Sequence, residues 1–154
     1  MAFDLTATLD VLRSHAQASG WFAAVTGHEP KSAPIADDDR LFASFWLNGL
    51  APVKSSGLAS TSALLDLQAR LYASAFAEPR DAVELVMGTV AVDFMGRVSG
   101  DFTLGGNVRN VDLMGSYGAG LNMRMGYLDQ DGRKYRIAVV SIPCIVNDLF
   151  TQAE

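Results

Sequence analysis

Residues 65–73 show the most regular alternation of apolar and polar side chains in the sequence. The apolar positions are Leu65, Leu67, Ala69, Leu71 and Ala73, and the positions between them hold Asp66, Gln68, Arg70 and Tyr72. Because successive side chains of a β-strand point to opposite faces of a sheet, this pattern predicts a strand with one buried face. Such half-buried strands are typical of antiparallel sheets, so the chain needs further strands and a layer over the apolar face.

The first twenty residues predict a short amphipathic helix. Its apolar positions are Leu5, Leu9, Leu12 and Ala16. This spacing places the four side chains on one face of a helix. Asp4 can cap the first turn with its carboxylate, and Gly20 follows as a stop signal.

A second helix is predicted after the Glu78-Pro79 pair, because proline is acceptable in the first turn of a helix. One face of this helix is formed by Val83, Val86, Met87, Val90, Phe94 and Val98. The opposite side also carries Leu85 and Val92, and Gly88 permits a close approach. The helix is therefore apolar around more of its circumference than covering a sheet requires, and part of it is expected to face another subunit.

Two segments precede the alternating strand. Residues 21–25 predict a short strand, and residues 27–39, with two prolines and four acidic residues, predict a solvated loop. Residues 40–53 are nearly all apolar and are too long for an ordinary strand. This segment forms either one long strand with a bulge or a tight hairpin that turns at Asn48 and Gly49. Pro52 favours an edge or an end of a strand.

The last third of the chain predicts three more strands. Residues 108–113 form a short one, and residues 121–127 pair with residues 135–139 in a hairpin whose turn contains Asp131-Gly132. Pro143 is expected to limit the last strand and leave residues 145–150 as a tail with apolar anchors. The order of elements predicts an α+β fold in a single domain of residues 1–154, with an antiparallel or mixed sheet of about five strands and two helices packed on one face.

The composition restricts the classes of function. The chain has 154 residues, of which 49% are hydrophobic and 19% charged, so one domain with apolar surface left for an assembly is expected. Its formal net charge of −5 opposes stable binding to nucleic acid. The single Cys144 lies in an apolar run and is expected to be a buried neutral thiol in a cytosolic protein. Neither a signal peptide nor a membrane span is predicted.

Local signatures of catalysis or metal binding do not occur in the sequence. Residues 100–106 have two glycines at the spacing of a phosphate-binding loop. The Lys and Ser/Thr that such a loop needs after its last glycine are absent here. The three aspartates at 37–39 do not have the alternate spacing of calcium ligands. His15 and His28 have no motif beside them, and one cysteine with two separated histidines does not compose a zinc site. We therefore expect no enzyme activity, metal or cofactor. The basic cluster of Arg133, Lys134 and Arg136 is either a solvated hairpin end or a contact for an acidic neighbour or passing DNA.

Two connectors of small residues join the long apolar segments. The first spans residues 54–62 and reads KSSGLASTS, and the second spans residues 99–110 and reads SGDFTLGGNVRN. Both are longer than the roughly 4 to 6 residues of most connections. The second holds Phe102 and Leu104 beside the flexible Gly105-Gly106 pair. This mixture suits docking on a neighbouring surface or folding back onto the chain's own core.

The stretches APVKSSGLASTS at residues 51–62 and GDFTLGGNVRNVD at residues 100–112 resemble the tail terminator proteins of long-tailed bacteriophages that infect actinobacteria. The similarity extends from residue 20 to residue 149. The resemblance implies a structural virion protein that closes into a ring, usually of six copies, on the end of the tail tube. Such a ring stops growth of the tube and presents a face for joining to the head.

The resemblance also implies the partners. These are further copies of the chain, the major tail tube protein and a neck or stopper protein, with DNA passing through the channel without specific binding and no membrane contact. The protein is then expected in the virion, and in the host cytoplasm during assembly. The candidate interface residues are Ser55, Ser56, Asp101, Phe102, Leu104 and Arg109. The alternatives are another neck or tail component (a stopper, a head–tail connector or a tube subunit), or a cytosolic ligand-binding or enzymatic α+β domain.

Overall fold

The computed structural model describes residues 3–31, 41–53, 60–74 and 82–151. In chain order the elements are α1 (Leu5–Ser19), β1 (Phe22–Thr26), β2 (Leu41–Pro52), β3 (Ser60–Ser74), α2 (Val83–Gly100), β4 (Asn110–Val111), β5 (Asn122–Gln130) and β6 (Arg133–Thr151). Two helices and a mixed sheet make this an α+β fold, as the element order predicted. Within the described ranges the sheet has six strands, one more than the five expected.

The strands follow the order β1-β2-β3-β6-β4 across the sheet, and β5 pairs with β6 further along the same edge as β4. β1 runs parallel to β2, and every other pair is antiparallel. The longest strands, β3 and β6, are neighbours at the centre of the sheet. The alternation from residue 65 to residue 73 is confirmed, because all five of its apolar side chains are buried.

Both helices pack on one face of the sheet, as predicted. Leu12 and Ala16 of α1 belong to the same buried cluster as Phe94 of α2 and Phe45 of β2. The rings of Phe45 and Phe94 lie 5.5 Å apart between centroids. The side chains that α2 buries are Met87, Val90, Ala91, Phe94 and Val98. Val86, which was assigned to this face, is instead exposed.

Tyr72 departs from the predicted pattern because its ring is also buried, on the sheet face opposite the helices. It packs against Tyr135 with the two rings nearly perpendicular and 5.6 Å apart. Ile137 completes this small second cluster, and Phe42, Leu128 and Val139 pack against it. The second face of the sheet is thus partly apolar. The alternation in the sequence does not show this, because tyrosine occurs on both polar and buried faces.

The ends of α1 are set by the two residues that the sequence indicated. The carboxylate of Asp4 accepts a hydrogen bond from the backbone N–H of Ala7 at 3.0 Å, and Gly20 ends the helix in a left-handed conformation with φ of 76°. These contacts satisfy backbone groups that have no partner inside the helix.

The open question at Asn48 and Gly49 is answered by a bulge. β2 continues without a turn from Leu41 to Pro52, and its register with β3 shifts between Leu47 and Gly49. A hairpin at this position is therefore excluded.

The prediction that Pro143 limits the last strand is wrong, since β6 passes through it. The carbonyl of Pro143 accepts a hydrogen bond from the N–H of Asp112 on the β4 edge. In an antiparallel strand the N–H and C=O of one residue point to the same side. The missing N–H of Pro143 therefore faces the edge where β5 has ended, and the pairing with β3 is preserved.

The remaining strand predictions are confirmed with changed lengths. β5 and β6 form the expected hairpin, with left-handed Asp131 (φ 51°) and Gly132 (φ 74°) in the turn. The strand expected over residues 108–113 is reduced to Asn110–Val111, because the chain bends into a loop at Asp112.

Candidate interaction surface

The connector after α2 separates its two apolar residues. Leu104 is 0% exposed and belongs to the main core, whereas Phe102 is 50% exposed. The chain reverses here through three consecutive left-handed residues, Leu104, Gly105 and Gly106, with φ of 48°, 68° and 84°. Leu104 was assigned to an interface, and that assignment is corrected: its side chain fills the chain's own core and offers no surface to a neighbour. Phe102 remains available.

Asp101 holds the start of this connector. One carboxylate oxygen accepts the N–H of Gly105 at 3.0 Å, and the other lies 2.8 Å from Nε2 of His15 on α1. Burial alone would raise the pKa of Asp101, but the Gly105 N–H and the His15 side chain outweigh it and hold the pKa below the usual value of an aspartate. Asp101 therefore links α1 to the connector. Its carboxylate has partners inside the chain.

Arg109 ends the connector beside the last part of β6. Its backbone N–H donates to the carbonyl of Ile145 at 2.8 Å, and its exposed guanidinium lies 3.5 Å from Oδ1 of Asn147. The backbone is thus fixed to the sheet, while the charged group extends toward solvent.

Ser55 and Ser56, the candidates in the first connector, lie outside the described residues. The described end of that connector meets the same part of β6 from the other side. The hydroxyl of Ser60 donates to the carboxylate of Asp148, and the N–H of Asp148 donates to Oγ of Ser62 at 3.1 Å. β6 therefore brings the ends of both connectors to its last residues, on opposite edges.

A cleft of about 840 Å³ opens at this end of the sheet. It lies between the first turn of α1, the second connector and the end of β6. Its apolar lining consists of Phe3, Ala7, Val108, Val146 and Leu149. Its polar lining consists of Asp4, Asn107, Arg109, Asn147 and Asp148, with Gly106 at one side. Polar and apolar side chains therefore line this cleft in about equal number.

The loop of residues 112–121 was not identified from the sequence. The buried carboxylate of Asp112 accepts the backbone N–H groups of Gly115, Ser116 and Tyr117 at 2.8–3.1 Å. A Cβ on Gly115 would lie 2.5 Å from the carbonyl oxygen of Gly118, so the loop is closely packed. This held backbone displays Met114, which is 93% exposed. The Gly, Ser and Asp content of the segment indicates a turn, but not which carboxylate organises it.

The outward side of α2 carries the exposed apolar residues that the sequence indicated. Leu85 is 74% exposed and Val92 is 68% exposed. They are seven residues apart and therefore lie on one side of the helix, two turns from each other. Core packing does not account for these two residues.

The basic cluster after the hairpin turn is divided by the fold. Arg136 donates to the carboxylate of Glu84 at 2.7 Å and to the carbonyl of Gly126 at 3.1 Å, and its guanidinium stacks on the ring of Tyr127. This arginine therefore joins α2 to the hairpin. Arg133 and Lys134 are exposed, with the Lys134 ammonium 5.1 Å from the Tyr127 ring.

Cys144 is buried, and burial raises the pKa of its thiol to about 12. Within the described residues, no group of three or more His, Cys, Asp and Glu side chains is placed to hold a metal ion. Among the same residues no helix has both the length and the apolar character needed to cross a membrane. A scan against protein-family models and a search of curated proteins found no match to the chain.

Proposed function

We propose that this protein is a structural component of a bacteriophage virion: a tail terminator that forms a ring on the end of the tail tube. The proposal takes its identity from the sequence resemblance at residues 51–62 and 100–112. The structural observation that supports it most is the apolar surface on α2, where Leu85 and Val92 extend away from the core.

Exposed apolar side chains on one side of a helix favour contact with another protein. Single exposed apolar residues are ordinary on protein surfaces. Leu85 and Val92, however, lie on one side of an element whose other side is already buried, and Phe102 is half exposed just beyond its end. Covering such residues in an assembly removes apolar area from water, at about 25 cal/mol per Å².

The proposed mechanism is steric. A contact between two different surfaces of the same chain closes a ring when the rotation between copies completes a circle. A ring seated on the open end of a tube covers the surface to which the next tube subunit would add. Six copies at −5 each carry a formal charge of −30. If enough of it lines the channel, this charge lets DNA pass with little adhesion.

Labelling of virions tests the assignment. Antibodies against the protein, coupled to gold, should mark the joint between head and tail in electron micrographs. Loss of the protein should give tails of irregular length without heads. Label along the whole tube would instead support a tube subunit, and tails of normal length beside free heads would support a stopper. Absence of the protein from virions would contradict all of these.

A matched pair of variants tests the role of α2. Val92→Asp places a charge on the exposed apolar side, and Gln17→Asp places the same charge on an exposed position of α1. Native mass spectrometry of the purified protein should show loss of rings for Val92→Asp alone, with circular dichroism unchanged in both variants. Rings that persist in Val92→Asp would remove this surface from the proposed interface.

A further inference from the structure

β5 is an edge strand, and no described strand pairs with its outer side. The carbonyls of Pro143 and Ile145 in β6 accept bonds on the side where β4 and β5 pair. Because the two sides alternate along a strand, the odd-numbered residues of β6 bond to their even-numbered partners in β5. The residues of β5 that direct N–H and C=O outward are therefore Met123, Met125, Tyr127 and Asp129.

This edge lacks the features that usually prevent strands from pairing. At the other side of the sheet, β1 has five residues and a register shift, and the part of β2 beyond it holds the bulge near Gly49 and then Pro52. Short strands, bulges and prolines protect sheet edges in this way. β5 has nine residues, no proline and no register shift in its pairing with β6. Its outer row of N–H and C=O groups is therefore a template for another strand.

The sequence of β5 is complementary to itself when two copies run antiparallel. Full overlap of Asn122–Gln130 places Gly126 on a two-fold axis and pairs Met125 of one copy with Tyr127 of the other. Tyr127 is 64% exposed, and a methionine sulfur beside an aromatic ring is a favourable contact. The remaining opposite pairs are Asn122 with Gln130, Met123 with Asp129 and Arg124 with Leu128. This register opposes no like charges, whereas an axis at Arg124 would oppose two guanidinium groups.

We propose that β5 pairs with β5 of a second copy, antiparallel about a two-fold axis at Gly126, so that the two sheets join into one. Two-fold contacts are the commonest kind between identical chains. Gly126 suits the axis, because opposite residues of a non-hydrogen-bonded pair approach to about 4.5 Å between Cα atoms. The inference uses only the geometry of the sheet and does not depend on the proposed ring.

Native mass spectrometry over a range of protein concentrations tests the pairing. The wild-type chain should form dimers, or pairs of rings where rings form. Hydrogen exchange at the amides of Met125 and Tyr127 should slow as the concentration rises. Protection of these amides in the dilute monomer would show that another segment of the same chain covers the edge, and the proposal would be wrong. Absence of dimers at the highest soluble concentration would also overturn it.

Gly126 offers a matched pair of variants. A Cβ at this position would lie 3.7 Å from the nearest atom of Ile137, which is an ordinary contact, so the subunit accommodates a side chain. Gly126→Asp places two carboxylates opposite each other and should raise the dissociation constant of the dimer about fivefold or more. The isosteric Gly126→Asn should raise it less. A mixture of Gly126→Asp and Gly126→Lys should form mixed dimers in preference to either homodimer. Equal effects of Asp and Asn, or no such preference, would contradict an axis at Gly126.

A second pair of variants tests the backbone of the edge. The N–H of Tyr127 faces outward, so Tyr127→Pro removes no bond to β6 but blocks an added strand. Tyr127→Ala loses the same ring and keeps the N–H. Dimers should disappear in Tyr127→Pro and persist, with lower affinity, in Tyr127→Ala. Dimers that persist in a folded Tyr127→Pro would overturn the proposal. If circular dichroism shows that this variant is unfolded, the Gly126 variants still decide.

The α2 variant separates this contact from the proposed ring. Val92→Asp changes the exposed side of α2 and leaves β5 intact, so it should still form the dimer. Loss of the dimer in Val92→Asp would assign the contact to α2 and contradict pairing through β5. Loss of rings alone concerns the proposed function, so the two results can be told apart.

Discussion

Phe102 and Leu104 offer a direct test of how one connector serves both the fold and the surface. They are separated by one residue, yet Leu104 is fully buried and Phe102 is half exposed. Replacing each by alanine removes a large apolar side chain of known burial. We expect Leu104→Ala to act on stability and Phe102→Ala to act on association.

The magnitudes follow from burial. Truncation of a fully buried leucine costs about 2 to 5 kcal/mol, because transfer and cavity terms add. Full burial of a phenylalanine contributes about 1.5 to 3 kcal/mol, so a half-exposed ring contributes about 1 kcal/mol to the folded subunit. At an interface the same ring can contribute 2 kcal/mol or more, which is about a 30-fold change in association constant.

Urea unfolding at a dilution where native mass spectrometry shows monomers gives the stability of each variant. Leu104→Ala should lose at least twice the free energy of unfolding that Phe102→Ala loses. At higher concentration Phe102→Ala should populate fewer rings than wild type, and the control Tyr127→Ala, an exposed aromatic on the hairpin, should not. Equal losses of stability in the two variants, or unchanged rings in Phe102→Ala, would refute the assignment of Leu104 to the core and Phe102 to association.

Three further predictions concern backbone and titratable groups. Gly115→Ala should destabilise the chain more than Gly132→Ala, because both glycines are left-handed but only Gly115 has a carbonyl oxygen 2.5 Å from the new Cβ; equal urea midpoints would contradict this. Asp101→Asn should lower the urea midpoint at pH 7. The difference from wild type should disappear as the pH falls through the lowered pKa of Asp101, because the contacts that lower this pKa stabilise the fold only while the carboxylate is ionised. A difference that does not change with pH would show that the ionised carboxylate is not its cause. Cys144 should react with Ellman's reagent in urea but not in the native protein, because burial holds its pKa near 12; rapid native reaction would contradict the burial.

The elements that the sequence predicted correctly depend on signals within a few residues. The alternation of residues 65–73 and the caps Asp4 and Gly20 act locally, so folding preserves both patterns except at the buried Tyr72. The hairpin turn at Asp131-Gly132 is specified by two residues that tolerate left-handed conformations. These local rules also explain why the α+β class was predictable.

Features that depend on contacts between distant residues were not predictable in the same way. Pro143 ends a strand only when its missing N–H faces a paired edge, and the sequence does not show where β5 stops. Asp112 organises its loop by reaching Tyr117, five residues ahead, from a position fixed by β6. Which of Phe102 and Leu104 is buried depends on the successive left-handed residues of the connector. No periodic pattern in the sequence indicates such a conformation.

The conformation of Leu104 explains how the connector keeps Phe102 in place. A left-handed leucine is unfavourable by about 1 to 2 kcal/mol, and burial of its side chain contributes about 1.5 to 3 kcal/mol, so the core stabilises a backbone that leucine would otherwise avoid. Asp101 adds its bonds to Gly105 and His15 at the same turn. The side chain of Phe102 therefore extends from a backbone that is already ordered. A side chain presented in this way loses less conformational entropy on binding, which favours a role for Phe102 as an anchor.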